Sequence, residues 1–172
     1  MKKFITIILT ISLIFSCGDE NDGDSFVGAA DVSLSAEPSR IDTGDRTQIT
    51  SRISNLHPDG IILIINYPEE LLFVSSSAMI QLDDEEPDDI SPLFNQTGDN
   101  GNFLVFFIEP DDLDDSSSAD ITFELEGIDD LEDGTIGVDA DVNDILIDNL
   151  LEFDIENPEF LAEREVNVSI FS

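Results

Sequence analysis

The chain has 172 residues, of which 40 are acidic and six are lysine or arginine, giving a formal net charge of −34. A surface of that sign repels nucleic acid and anionic lipid headgroups and excludes both as direct partners. A disordered acidic tail is excluded as well, because 41% of the residues are hydrophobic and Phe alone numbers twelve.

Lys2-Lys3 is followed by Phe4 to Phe15, apolar apart from Thr6, Thr10 and Ser12. A short positive region ahead of an apolar run of this length is the pattern of a signal peptide. A permanent helical span needs about 20 such residues. Residues 1–16 are therefore expected to be removed as a leader. The segment Ile14-Phe15-Ser16-Cys17 resembles the lipobox of bacterial lipoproteins, although Phe15 is bulkier than the residue usual at its place. The resemblance implies that Cys17 becomes the first residue and carries a thioether-linked diacylglycerol and an amide-linked acyl chain. Each buried methylene contributes about 0.8 kcal/mol, so one chain holds marginally and two or three hold for practical purposes permanently. Cys17 is the only cysteine, so no disulfide within the chain is available, and lipidation accounts for an unpaired thiol in an exported protein.

Cleavage leaves Arg40, Arg46, Arg52 and Arg164 against all 40 acids, a net of −36 with no lysine. That balance favours calcium, a basic protein partner or a salty medium. Residues 17–30 read as the lipidated cysteine and a flexible acidic linker, whose last thirteen residues reach at most about 45 Å. Acids so soon after Cys17 resemble the signals that send some lipoproteins of gliding and gut-dwelling bacteria to the outer surface. A merely solvated linker has the same composition.

From Asp31 the period becomes two. Val32, Leu34 and Ala36 alternate with polar residues, as do Thr47, Ile49, Ser51 and Ile53. Ile121, Phe123 and Leu125 face one way and Thr122, Glu124 and Glu126 the other, and Val166, Val168 and Ile170 close the chain similarly. Such alternation predicts half-buried antiparallel strands. Ile61 to Ile65 and Phe103 to Ile108 are apolar on both faces and predict central strands covered on two sides. Turn and loop signals separate the runs at His57-Pro58-Asp59-Gly60, Gly98-Asp99-Asn100-Gly101 and Asp133-Gly134, and Tyr67-Pro68 ends one strand before Leu71 to Val74 begins another. Glu109 to Ser118 and Asp144 to Leu151 each have room for a single helical turn. About eight or nine short strands in one domain predict an all-β, two-sheet sandwich with Greek-key connections over residues 31–172.

Several of these segments together resemble a known family. They are Thr43-Gly44-Asp45 opening a strand, Tyr67-Pro68-Glu69-Glu70-Leu71-Leu72-Phe73-Val74, Ser118-Ala119-Asp120-Ile121-Thr122-Phe123, and Gly134-Thr135-Ile136 with Val138, Ala140 and Val142. The set is similar to the immunoglobulin-like conserved repeat domain of bacterial surface proteins and, more distantly, to cohesin modules. The resemblance implies an immunoglobulin-like sandwich. Asn66-Tyr67-Pro68 replaces the Tyr-Asp-Pro of cohesins, so dockerin binding is not implied.

Little of this chain is suited to catalysis. The sole histidine, His57, sits beside Pro58 in a predicted turn, with no marked nucleophile to complete a triad. One histidine and one cysteine do not make a zinc site. Trp is absent and Tyr67 is the one tyrosine, which speaks against aromatic platforms for sugars, and the phenylalanines are expected in the core. Calcium has the best inorganic case. Acids cluster at Asp83 to Glu86 with Asp88 and Asp89, at Asp111 to Asp115, at Asp129 to Asp133, and at Asp139, Asp141, Asn143 and Asp144. Asp139, Asp141 and Asn143 have the spacing that opens an EF-hand loop, but Asp144 stands where glycine is required and Leu150 where the bidentate glutamate belongs. On a strand those three would share one face, which equally suits a solvated surface.

The expectation is a non-enzymatic, lipid-anchored module at the outer membrane, periplasmic or surface-exposed, acting in adhesion, assembly or envelope structure through protein contacts. No small-molecule substrate is expected. The alternative is a calcium-binding or salt-adapted accessory subunit of a surface uptake or secretion complex.

Overall fold

A computed structural model describes residues 31–56, 60–98, 101–113, 116–139 and 165–172. Within them the strands are β1 (Asp31–Glu37), β2 (Arg40–Asp42), β3 (Arg46–Ser54), β4 (Ile61–Tyr67), β5 (Leu71–Phe73), β6 (Met79–Leu82), β7 (Asp88–Asp89), β8 (Phe94–Gly98), β9 (Gly101–Ile108), β10 (Ser118–Gly127), β11 (Leu131–Asp139) and β12 (Glu165–Phe171). One helical turn, α1 (Pro110–Leu113), falls where the sequence leaves room for it. Leader, linker, Cys17, His57 and the segment from Asp144 to Leu151 lie outside the described residues. Among the described residues no helix is long and apolar enough to cross a membrane.

The strands form two sheets, so the expected all-β immunoglobulin-like sandwich is the fold observed. The first sheet runs β1-β3-β10-β6-β7, with β5 also on β10; the second runs β2-β12-β11-β4-β9-β8. Strands distant in sequence lie side by side, β10 against β3 and β11 against β4, as Greek-key connections require. Every pairing is antiparallel except β2 with β12.

The alternation works as the period-two rule demands. On β10, Ala119, Ile121, Phe123 and Leu125 are buried, whereas Asp120, Thr122, Glu124 and Glu126 on the opposite face are only half-buried. On β3, Thr47, Ile49, Ser51 and Ile53 turn inward, and the hydroxyls of Thr47 and Ser51 are buried without a partner. Phe106 of β9 and Phe123 of β10 carry the core across the two sheets, with ring centroids 5.7 Å apart, and Phe73 meets Phe123 at 6.3 Å. The double-faced runs are interior strands, as predicted: β4 lies between β11 and β9, and β9 between β4 and β8. Leu63, Ile65, Leu104, Phe106 and Ile108 join the main core, while Ile62, Ile64 and Val105 form a second buried cluster with the partly buried Phe94, Phe103 and Phe107.

Three expectations need refinement. Twelve strands are described where about eight or nine were expected; β5 falls on the predicted Leu71 to Val74 run, and the strands not marked in the sequence are β2, β6, β7 and β8, of which β2 and β7, at three and two residues, are too short to establish an alternation. Asp133-Gly134 is a bulge inside β11 and not a turn. Leu131 pairs with Ile170 but Gly134 with Val168, so one extra residue is inserted, and Asp133 takes the left-handed φ of 55°. Aspartate tolerates that region because its short polar side chain bonds locally. Finally, not every phenylalanine is in the core, for Phe171 is 46% exposed.

Candidate functional site

Of the residues proposed from sequence as sites, Asp139 alone is described. Cys17, Asp141 and Asn143 lie outside the described residues. Asp139 closes β11, with its Cα paired to that of Ile64. Among the described residues, no group of three or more His, Cys, Asp or Glu is placed to hold a metal ion. Tyr67 is 3% exposed, so the one tyrosine is a core residue. Its hydroxyl donates to Asn95 Oδ1 at 3.4 Å, and burial pushes its pKa up to about 12.

One acid of the Asp83 cluster has a structural task. Asp83 adopts a φ of 42° in the turn after β6, and its carboxylate accepts from the amides and hydroxyls of Ser117 and Ser118 at 2.8–3.2 Å. Those bonds, the Ser118 hydroxyl foremost and then the Ser117 amide, hold the carboxyl below the ordinary aspartate pKa. A depressed folded-state value contributes stability above the unfolded pKa, and that contribution is lost as pH falls through the folded value. Asp83→Ala is therefore expected to melt lower than wild type at neutral pH, with the gap closing in acid. Melting curves from pH 7 downward check this, and a pH-independent gap would remove Asp83 from the acid limb.

The arginines divide into two kinds. Arg46 and Arg52 project from the outer face of β3 onto acids of β10. Arg52 holds Asp120 with bonds of 2.7, 2.9 and 3.2 Å, which raise the arginine's own pKa. Arg46 reaches Glu124 at 2.9 Å and Glu126 at 3.5 Å. Each is half-exposed or more, where ion pairs orient side chains more than they stabilise. Arg40 differs. Among the described residues it has no ion-pair partner; its guanidinium carbon stands 5.8 Å from the centroid of the Phe171 ring.

The two-strand pairing that creates this contact lies at a corner of the sandwich. β2 is the outermost strand of its sheet and runs parallel to β12 in the register Ser169↔Arg40, Ile170↔Ile41, Phe171↔Asp42. Ile41 points inward and is 5% exposed, so Arg40 and Asp42 point outward. The chain then turns through Thr43-Gly44-Asp45 into β3 of the other sheet. The turn is pinned by Thr43 N to Phe171 O at 2.9 Å, Asp45 N to Asp42 O at 2.9 Å, Gly44 N to Gly127 O at 2.8 Å and Gly127 N to Asp45 O at 3.0 Å. Gly44 has φ +90°, a conformation that glycine adopts without a steric penalty. Pro38, Arg40, Asp42, Asp45, Arg46 and Phe171 line an open cleft of about 550 Å³ over this frame.

Sequence reasoning did not mark this cleft. The alternation that buries Val168 and Ile170 does turn Phe171 outward and could have identified an exposed aromatic. Nothing local places Arg40 beside it, because that contact comes from a parallel pairing between the two ends of the domain.

No family model matches the chain, and no curated protein matches it. Among solved structures it is similar to the N-terminal domain of the Streptococcus gordonii adhesin Sgo0707, with 11% identity and a TM-score of 0.50 over 86% of this chain and 33% of that one. A collagen-binding domain from a Staphylococcus aureus adhesin aligns at 9% identity and a TM-score of 0.49, covering 80% of this chain and 96% of that one. A non-cellulosomal cohesin from Archaeoglobus fulgidus aligns at 13% identity and a TM-score of 0.43, covering 84% and 93% respectively. At these identities the likeness is one of fold.

Proposed function

We infer that this chain is a non-enzymatic surface module, held at the outer membrane by lipid on Cys17 and working through protein–protein contacts in adhesion, assembly or envelope structure. The observation that carries the reading is the fold: a two-sheet sandwich of the kind found in the Sgo0707 adhesin domain. A packed sandwich is a rigid body whose loops, corners and edge strands serve as contact surfaces. β1 and β8 each lie at one end of a sheet's strand order, and Leu72, Leu93, Ile128 and Phe171 are large apolar side chains exposed to solvent. The leader and the cysteine that follows it supply the address and the anchor.

The anchor is tested by fractionating cells that express wild type or Cys17→Ala. Wild type is expected in the membrane fraction and to partition into detergent, and the variant in the soluble fraction. Continued membrane attachment of the alanine variant would rule out lipidation at Cys17. Cross-linking on intact cells with the tethered chain then tests the contact function.

A further inference from the structure

We propose that the corner cleft between β2 and β12 is a recognition site for a mixed-charge peptide segment of a protein partner, with Arg40 receiving a carboxylate and Asp45 a cation or amide donor. The proposal deepens the protein-contact reading above and rests on it. Arg40 carries the argument. The residues after position 16 hold 40 carboxylates, and Arg46 and Arg52 are both engaged by acids of β10, yet Arg40 has no acid partner among the described residues. Asp42, two residues away on the same strand face, does not take it. Its guanidinium lies against Phe171 instead.

A guanidinium held against an aromatic ring leaves the N–H groups at its rim available, and those form the fork that grips a carboxylate with two parallel bonds. Phe171 is 46% exposed and holds the fork beside the opening of the cleft. The floor is rigid, because the turn over residues 43–45 is fixed by four backbone bonds. Little ordering entropy is therefore lost on binding.

Charge narrows the ligand class. Arg46 is already met by Glu124 and Glu126, so the cleft offers the open Arg40 beside Asp42 and Asp45, one cation and two acids on a strongly anionic body. A polyanion is repelled by that body, and a purely cationic peptide has no use for the open fork of Arg40. A segment with a Glu or Asp close to a Lys or Arg fits both halves.

The probe is acetyl-Gly-Lys-Gly-Glu-Gly-amide, titrated calorimetrically into the lipidated chain in detergent, beside the same peptide with Gln for Glu. Saturable millimolar binding of the Glu peptide is expected, weakened about tenfold by Glu→Gln in the peptide, by Arg40→Gln or by Phe171→Leu. Arg40→Lys keeps the charge but loses the fork, so it is expected to restore only part of the affinity. No saturable binding to wild type, or equal binding by wild type and Arg40→Gln at unchanged melting temperature, overturns the assignment. Cross-linking on intact cells separates the two levels. A partner held by wild type and Arg40→Gln alike sinks the cleft and leaves the surface module standing; no partner for either sinks the module reading.

Discussion

Phe123→Ala is expected to lower the unfolding free energy by about 3–5 kcal/mol, the range for deleting a buried ring. The ring is fully buried on the inner face of β10 and touches Phe106 of the facing sheet and Phe73 of its own. Its removal opens a cavity where three aromatic side chains meet and leaves Phe106 without its partner across the sandwich. The surrounding strands cannot close the space, because β10 is paired on both edges, with β3 on one side and with β5 and β6 on the other. Domains of this size are stable by about 5–15 kcal/mol, so the variant sits near its unfolding threshold at ambient temperature. Equilibrium urea unfolding measures the change. A loss below about 1 kcal/mol would mean that the two sheets do not share a core at this point.

Gly127→Ala is expected to cost about 1–3 kcal/mol through overpacking. A Cβ at this position would stand 2.9 Å from Ile170 Cγ2 and 3.1 Å from Ile41 Cδ1. Neither isoleucine can swing away readily, being 2% and 5% exposed in the core. The backbone cannot retreat either, since the Gly127 amide and carbonyl are both bonded to the β2–β3 turn. One of the two side chains pressed by the added methyl is Ile41, which lies between Arg40 and Asp42. The same substitution is therefore expected to disturb peptide binding at the corner, which calorimetry on the variant would register. Unchanged stability would mean that the β2 corner yields without cost and is not the rigid frame described.

How much of this was legible in the sequence depends on the length of each pattern. The long strands β3, β10 and β12 repeat apolar and polar positions often enough to declare which face is buried, and β4 and β9 declare by double-sided apolarity that they are interior. Short strands lack that record: β2 shows only Ile41 between two charges, and β7 is Asp88-Asp89, acids that pair with Met79 and Ile80 because the neighbouring ladder is there. The Asp133-Gly134 signal was real but ambiguous, since the same left-handed residue that turns a hairpin also makes a bulge when the strand continues. The cleft was illegible for a different reason. Its arginine and its aromatic ring stand 131 residues apart, and only the parallel register of β2 on β12 joins them. The acid clusters made the opposite case, conspicuous in sequence and, within the described residues, not gathered into a metal centre.

β1 has a mechanical consequence. Asp31 begins the strand at the end where the linker enters, and Glu37 ends it next to Pro38 at the cleft, with seven consecutive pairs to β3 between them. Tension applied between the chain entering at Asp31 and a ligand held at the corner therefore pulls along the strand axis over roughly 23 Å. The rungs of that ladder bear such a load together in shear, so the domain resists being drawn open from its tethered end far better than it would if each rung were peeled in turn.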